Sequence, residues 1–98
     1  MYARVTTVQA SPDKVDANIQ LYRDGVIPAA KRQKGFKSLH LLVDRKTGKS
    51  VSVAFWETKA DAEATGESSA YLQEILAKFA STFTAPPVVE TYEVAVEA

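Results

Sequence analysis

Few side chains in this sequence can do acid–base chemistry near neutral pH. His40 is the single histidine, and there is no cysteine. Imidazole is the side chain whose ordinary pKa lies near neutrality, so His40 is the natural proton acceptor. The lack of cysteine excludes disulfides, thiolate metal sites and cysteine nucleophiles. Glu90, Glu93 and Glu97 have no spacing typical of a ligand set, so we expect no metal site.

Aromatic side chains form a second set of candidates, suited to holding a flat ligand. Trp56 has small residues before it at Ser52 and Ala54, which can leave a hollow beside the indole. Tyr22 and Tyr71 carry phenol groups that can hydrogen-bond a bound ring or its anion. These types favour an apolar pocket with a few polar contacts.

Each candidate also has a purely structural interpretation, and both remain open. A large aromatic residue most often fills a core. Asn18 and Arg23 can reach a ligand carbonyl, but solvated helix positions are more usual. A basic run before the second strand fits a helix end that complements the helix dipole. The pocket candidates are Trp56, Tyr71, Tyr22, Asn18, Ser52 and His40, with no catalytic residue assigned.

Size and charge restrict the class of protein. The chain has 98 residues, so we expect a single domain over residues 1–98. Twelve basic and twelve acidic side chains cancel, which removes the general attraction used in binding nucleic acid or anionic membranes. No apolar stretch has the length of a signal peptide or a membrane helix. We therefore predict a cytoplasmic protein that binds neither nucleic acid nor membrane.

The first half of the chain predicts a strand, a helix and a hairpin. Residues 2–9 are rich in β-branched side chains and indicate a strand. Ser11 and the two residues after it are typical of a helix start, and Gly25 and Pro28 predict a kink before a short second piece at 29–33. Residues 36–44 and 49–57 predict two strands joined by a polar loop containing Gly48.

The second half predicts helices and a last strand. Thr58 is a predicted cap for a short helix at 59–65, and Ser68 or Ser69 for a longer one with an apolar stripe ending at Phe83. Residues 88–96 predict the fourth strand. The order indicates an α+β fold of the ferredoxin-like kind, βαββαβ, with a four-stranded antiparallel sheet and both helices on one face.

The hairpin also predicts which side chains share a face. If Asp44 pairs with Lys49, one face carries Leu39, Leu41, Val43, Ser52, Ala54 and Trp56, and the other carries Phe36, Ser38, His40, Leu42, Val51, Val53 and Phe55. Both faces are largely apolar, and helices cover only one. We therefore expect a homodimer that pairs the helix-free faces, with a mildly apolar exposed surface as the alternative.

Residues 34–38, 43–44, 47–48 and 54–58 together resemble the antibiotic-biosynthesis monooxygenase (ABM) family. The similarity lies in a glycine–phenylalanine entry to the second strand, the hairpin glycine and the Trp56–Glu57 pair. The resemblance implies a dimeric α+β barrel with a pocket between helices and sheet. Activities of such families include cofactor-independent oxidation of aromatic polyketides, quinol oxidation and oxidative haem breakdown.

The resemblance carries over only in part. Trp56 matches the tryptophan that lines the family's pocket. Ser52 stands where polyketide-oxidising relatives carry asparagine, Gly66 stands where haem-degrading relatives carry histidine, and residues 2–9 contain no asparagine. Haem degradation of the familiar kind is therefore disfavoured.

Two functions follow as hypotheses. The first is a monooxygenase-like protein that uses no cofactor and acts on a small aromatic, quinol or polyketide-like molecule, with an apolar pocket and groups that stabilise the substrate anion. The second is a non-catalytic dimeric module of the same fold that binds a small apolar ligand. A haem binder with His40 as axial ligand is a distant third.

Overall fold

Strands form where β-branched and aromatic residues cluster. The computed structural model describes residues 1–98 and has four strands: β1 (Tyr2–Gln9), β2 (Phe36–Val43), β3 (Lys49–Trp56) and β4 (Val88–Glu93). The fourth strand ends earlier than predicted, although the amide of Val94 still donates to the carbonyl of Met1 at 2.9 Å. Four strands at the predicted positions confirm the β part of the fold.

The helices are α1 (Val15–Leu21), α2 (Ile27–Lys31), α3 (Lys59–Ala64) and α4 (Ala70–Phe79), with 3₁₀ turns at Pro12–Lys14 and Ala80–Thr82. The order of elements confirms the predicted ferredoxin-like α+β fold. None of the helices combines the length and the hydropathy required to cross a membrane.

Side-chain caps begin the two later helices but not the first. The hydroxyl of Thr58 accepts from the amide of Asp61 at 3.0 Å, and that of Ser69 from the amide of Leu72 at 3.1 Å. Ser11 makes no such bond, because the chain enters through a 3₁₀ turn that starts at Pro12. The expected cap at Ser11 is therefore wrong, and the helix relies on the fixed φ of proline for its start.

A wider turn joins α1 to α2. Tyr22–Val26 forms one turn of π-helix, in which each amide reaches one residue further back than in an α-helix. Pro28 follows and has no amide hydrogen to continue the α-helical ladder. The predicted interruption near Gly25 and Pro28 therefore takes the form of a π-turn, with the second helical piece at Ile27–Lys31 rather than 29–33.

The sheet has the order β2-β3-β1-β4, with all pairs antiparallel. Asp44 donates its amide to the carbonyl of Lys49 at 2.9 Å, as the hairpin register required. A bulge between Phe36 and Ser38 then shifts the first residue of β2, so that Phe36 pairs with Trp56. The predicted placement of Phe36 on the helix-free face is therefore wrong.

Helices cover one face of the sheet and leave the other without cover. On the covered face, Tyr22 and Val26 pack against Ile75 and Phe79 of α4. A second cluster joins Trp56 with Ala54 and Ala62. The alternate residues of each strand form the helix-free face, and its main apolar members are Val5, Leu42, Val51, Val53, Phe55, Val88 and Tyr92.

Candidate functional site

A cavity lies between the sheet and the helices, beside the core cluster that contains Tyr22 and Phe79. Its volume is about 80 Å³, several times the ~10–15 Å³ that one buried water occupies by this kind of measure, and one side is open to solvent. Twelve of its seventeen lining residues are hydrophobic. The five others are Arg4, Thr6, Asn18, Ser50 and Ser52. An apolar hollow with a few polar groups is typical of a small-molecule site.

Arg4 is the main feature of this cavity that the sequence did not lead us to expect. It lies on the central strand β1, is only 3% exposed, and lines the cavity from the sheet side. Its Nη1 donates to the carbonyl of Ala62 and to the hydroxyl of Thr65, both at 3.1 Å. None of the three ion pairs in the structure includes it.

A contact with Trp56 stabilises the buried guanidinium of Arg4, while the loss of hydration opposes its burial. The guanidinium carbon lies 5.1 Å from the centroid of the Trp56 ring, a cation–π arrangement. Desolvation nevertheless lowers the pKa of Arg4, while Tyr71 raises it by Coulombic interaction. An arginine stays protonated at neutral pH even so. The cavity therefore contains a buried positive charge with no carboxylate partner.

Tyr22 lines the cavity from the π-turn. Its hydroxyl shares a hydrogen bond of 2.8 Å with the hydroxyl of Ser52 on β3. Burial raises the pKa of Tyr22 to about 12, against the opposing effect of the Ser52 hydrogen bond. The phenol is therefore neutral at physiological pH, and the structure brings it together with Ser52 at one wall of the cavity.

Tyr71 lines the cavity from the first turn of α4. Burial raises the pKa of Tyr71, and the nearby positive charge of Arg4 offsets only part of that rise. Its ring meets Trp56 edge to face at a centroid distance of 6.3 Å. Since no protein atom takes the hydrogen bond of the Tyr71 hydroxyl, a bound molecule can do so.

Asn18 lines the same cavity from α1. Its amide nitrogen donates to the hydroxyl of Thr82 at 3.0 Å, which connects α1 to the 3₁₀ turn that follows α4. The amide oxygen is left as an acceptor. Four of the six predicted site residues, Asn18, Tyr22, Ser52 and Tyr71, thus surround one cavity.

Trp56 lies outside the lining of that cavity. It is fully buried, with Phe36 meeting its ring edge to face at 5.9 Å and Ala62 of α3 packed beside it. A hollow was expected beside the indole, but two side chains fill that space. One is Phe36, which the bulge brings to this face, and the other is Arg4, through its guanidinium group. The indole Nε1 is buried without a hydrogen-bond partner. Trp56 therefore supports the cavity through Arg4 and Tyr71 and does not line it.

His40 is also away from the cavity. It pairs with Val53 on the helix-free face, is exposed, and meets the ring of Phe55 edge to face at 6.3 Å. The sheet separates it from Tyr22 and Tyr71, so it has no access to a ligand between helices and sheet. No group of three or more histidine, cysteine or acidic side chains comes together anywhere in the chain.

Sequence comparison identifies the family to which the chain belongs. The model of the family described as antibiotic biosynthesis monooxygenase, abbreviated ABM, matches residues 1–84. The chain belongs to the ABM family. The resemblance drawn from residues 34–58 is therefore confirmed, as is the ferredoxin-like α+β fold of the chain, while the dimer stays a prediction.

Several solved structures have the same fold as this chain. A monooxygenase from the gene ActVA-Orf6 of Streptomyces coelicolor, in complex with the ligand nanaomycin D, superposes with a TM-score of 0.81 at 17% identity over 99% of this chain and 89% of that one. The structure of Rv0793 from Mycobacterium tuberculosis gives 0.74 at 21% identity over 99% and 97%. At such identities the likeness concerns the fold alone.

More similar sequences occur among uncharacterised proteins. Rv2557 of Mycobacterium tuberculosis is 38% identical over 95 residues, which is 97% of this chain and 41% of that protein. Rv2558 of the same strain is 35% identical over 97% of this chain and 39% of its own length. The chain thus spans about two fifths of the length of these relatives.

Proposed function

We propose that this ABM domain is a monooxygenase-like protein that uses no cofactor and acts on a small aromatic, quinol or polyketide-like molecule. The observation that carries the proposal is the cavity itself, in which apolar walls surround one buried cation and two tyrosines. A flat apolar body fits the walls, and oxygen substituents fit the polar groups. The nanaomycin D complex of the ActVA-Orf6 protein is consistent with such a ligand.

The chemistry needs no external reductant. When an anthrone methylene becomes a carbonyl, two C–H bonds break and the carbon gives up four electrons. Molecular oxygen accepts those electrons, with one atom entering the product and the other leaving as water. The ionised substrate is electron-rich enough to react with O₂, so the protein has to bind, orient and stabilise the anion.

Several polar residues of the cavity have a role in this scheme. Tyr71 and Asn18 hydrogen-bond the substrate's oxygen groups, and the Tyr22–Ser52 hydrogen bond links the π-turn to β3. Trp56 contacts both Arg4 and Tyr71 with its ring and holds them in place. We assign no general base among the lining residues, none of which is a histidine or a carboxylate.

Oxygen uptake with anthrone and with a quinol tests the reaction, measured against the same solutions without protein. Leu76 lines the cavity, whereas the adjacent Ala77 is exposed on α4. Leu76→Trp fills the cavity, so we expect kcat/KM to fall by about tenfold or more, while Ala77→Trp stays near the parent. Equal rates for both variants, or no uptake above background, would contradict the proposal.

A non-catalytic binding module is the second candidate. It is favoured by Ser52 at the position where polyketide-oxidising relatives carry asparagine, together with the lack of any lining base. Retention of anthrone or quinol without oxygen uptake, lost in Leu76→Trp and kept in Ala77→Trp, would support this function over the first.

We also propose that two copies pair through their helix-free faces. Leu42, Val88 and Tyr92 are each more than half exposed in the single chain, and Val53 and Phe55 lie between them on the same face. A second copy buries this apolar surface economically. Light scattering should give a dimer for the parent and for Ala77→Asp, and a monomer for Val53→Asp. A parent that stays monomeric at micromolar concentration refutes the pairing.

A further inference from the structure

We infer that Arg4 binds the ligand's oxygen in its deprotonated form, which makes the ligand a phenol or enol that is held as the oxyanion. The inference rests on the proposed cavity ligand but is independent of whether the ligand is oxidised. Nothing in the sequence pattern assigned a role to Arg4, and its burial, its position and its missing partner carry the argument.

The first step is the charge. Arg4 is 3% exposed and has only neutral partners, namely a main-chain carbonyl, a hydroxyl and the face of an indole. Burial of an unpaired cation is costly, and neutral partners compensate for only part of the lost hydration. An anion that enters the cavity supplies the missing charge and so binds with a selective advantage over its neutral form.

The second step is the direction of the free donors. Both hydrogen bonds of Arg4 leave from Nη1, toward Ala62 and Thr65, and neither of these two residues lines the cavity. The hydrogens on Nε and Nη2 have no acceptor in the protein. They lie in the same fixed plane as the donors on Nη1, because the guanidinium group is planar. Arg4 is among the cavity-lining residues, so an oxyanion there can take these donors.

The third step is the neighbour. Tyr71 lies close enough to Arg4 for the two groups to interact: burial raises the pKa of the Tyr71 phenol, and the positive charge of Arg4 opposes that rise. A ligand phenol beside Arg4 experiences the same positive charge, and unlike the Tyr71 hydroxyl it can also take the free donors of Arg4 and accept from Tyr71. Tyr22, Tyr71 and Arg4 are the only titratable lining residues, and all three are protonated at neutral pH. The other cavity groups therefore do not compete for the cation as anions.

The proton leaves by a simple route. The O–H bond of the ligand breaks with its electron pair staying on oxygen, and the proton passes to water or buffer at the open side of the cavity. Preferential binding of the anion lowers the pKa of the bound hydroxyl, by one pKa unit for each tenfold preference. Arg4 thus favours ionisation of the bound ligand before any reaction, a task that otherwise needs a general base. This role explains why no histidine or carboxylate lines the cavity.

A hydroxyanthraquinone tests this inference without turnover, because the ring is already oxidised and its absorption shifts to the red on ionisation. We expect the pKa of bound 2-hydroxyanthraquinone to lie about one unit or more below that of the free compound. The methyl ether, 2-methoxyanthraquinone, should bind more weakly at neutral pH. An unshifted pKa in the parent protein, or tighter binding of the ether, overturns the inference.

Two variants locate the effect at Arg4. Arg4→Met should abolish the pKa shift while binding the methyl ether within about threefold of the parent. Thr65→Val removes one acceptor of Arg4 and keeps the charge, so the shift should persist, and this variant serves if Arg4→Met does not fold. A shift that persists in Arg4→Met, or that disappears in a folded Thr65→Val, contradicts the assignment.

The remaining outcomes separate this inference from the proposed reaction. Absence of oxygen uptake together with a shifted probe refutes the oxygenase and leaves the oxyanion site standing. Anthraquinone-2-carboxylate bound while the hydroxy compound is unshifted overturns the choice of a phenol. Failure to bind any of the three probes refutes the cavity ligand and this inference together.

Discussion

Arg4 and His40 lie on opposite faces of the same sheet, and each has the environment that its chemistry would not suggest. The arginine, which is always charged, is buried under the helices, while the histidine, which can be neutral, faces away from them. The difference arises from strand parity, because neighbouring residues of a strand point to opposite faces. Which side of the sheet a group occupies therefore decides its role more than its intrinsic pKa does.

Removal of one ring from each face should give the greatest contrast between the two faces. Trp56→Ala leaves a void under Arg4 and Tyr71, and we expect a loss of roughly 3–5 kcal/mol in the free energy of unfolding. His40→Ala, on the exposed face, should stay within about 0.5 kcal/mol. Urea denaturation measures both. Similar losses for the two variants would remove the distinction between the faces.

A second contrast compares tyrosines at high pH. Burial raises the pKa of Tyr22 to about 12, above its value of 10.0 in the unfolded chain. The folded state therefore keeps the proton while the unfolded state has lost it, so the stabilisation is complete below pH 10 and disappears as the pH rises to 12. The difference of two units corresponds to roughly 2–3 kcal/mol.

Thermal or urea unfolding between pH 9 and 12 checks this expectation. The fall in stability should flatten in Tyr22→Phe. Tyr92 is half exposed on the other face, and its hydrogen bond to Glu90 raises the pKa of its phenol as well. Solvent screens an exposed group, so Tyr92→Phe is the comparison variant that should flatten the slope less than Tyr22→Phe does. A slope that Tyr22→Phe does not change would assign the alkaline transition to another group.

Arg4→Met should change stability less than Trp56→Ala does, and in the opposite direction. Arg4→Met replaces an unpaired buried cation by an apolar chain of similar length, so the free energy of unfolding should stay unchanged or rise by up to about 2 kcal/mol. The carbonyl of Ala62 still accepts from the Thr65 hydroxyl at 3.3 Å, so no buried acceptor is left without a partner. A loss of several kcal/mol in urea unfolding would show instead that Arg4 is a structural member of the core.

Most of the fold could be predicted because each of its signals is local. The β-branched strands, the glycine of the hairpin and the caps at Thr58 and Ser69 act within a few residues of themselves. Phe36 was misplaced because a bulge is a property of two paired strands, and only the partner strand reveals it. Ser11 lacked its cap because the proline after it started a tighter turn.

The site was predicted less completely for a related reason. Asn18, Tyr22, Ser52 and Tyr71 face one cavity because helical and strand periodicity placed them there. Arg4 could have been found by the same alternation, since Thr6 and Val8 follow it on one side of β1, but an arginine in an apolar face suggested nothing by itself. Trp56 could not be excluded from the lining, because packing of Phe36 and Ala62 against it is a tertiary effect.

The π-turn at Tyr22–Val26 has a consequence for how this domain tolerates changes in length. Each residue of an ordinary helix rotates the chain by about 100°, so loss of one residue there turns everything beyond it to a different side. A widened turn contains one residue more than the helix needs, and a deletion within it restores an ordinary helix while both flanking pieces keep their packing. Related chains that are one residue shorter before β2 can therefore keep the same cavity with a regular helix.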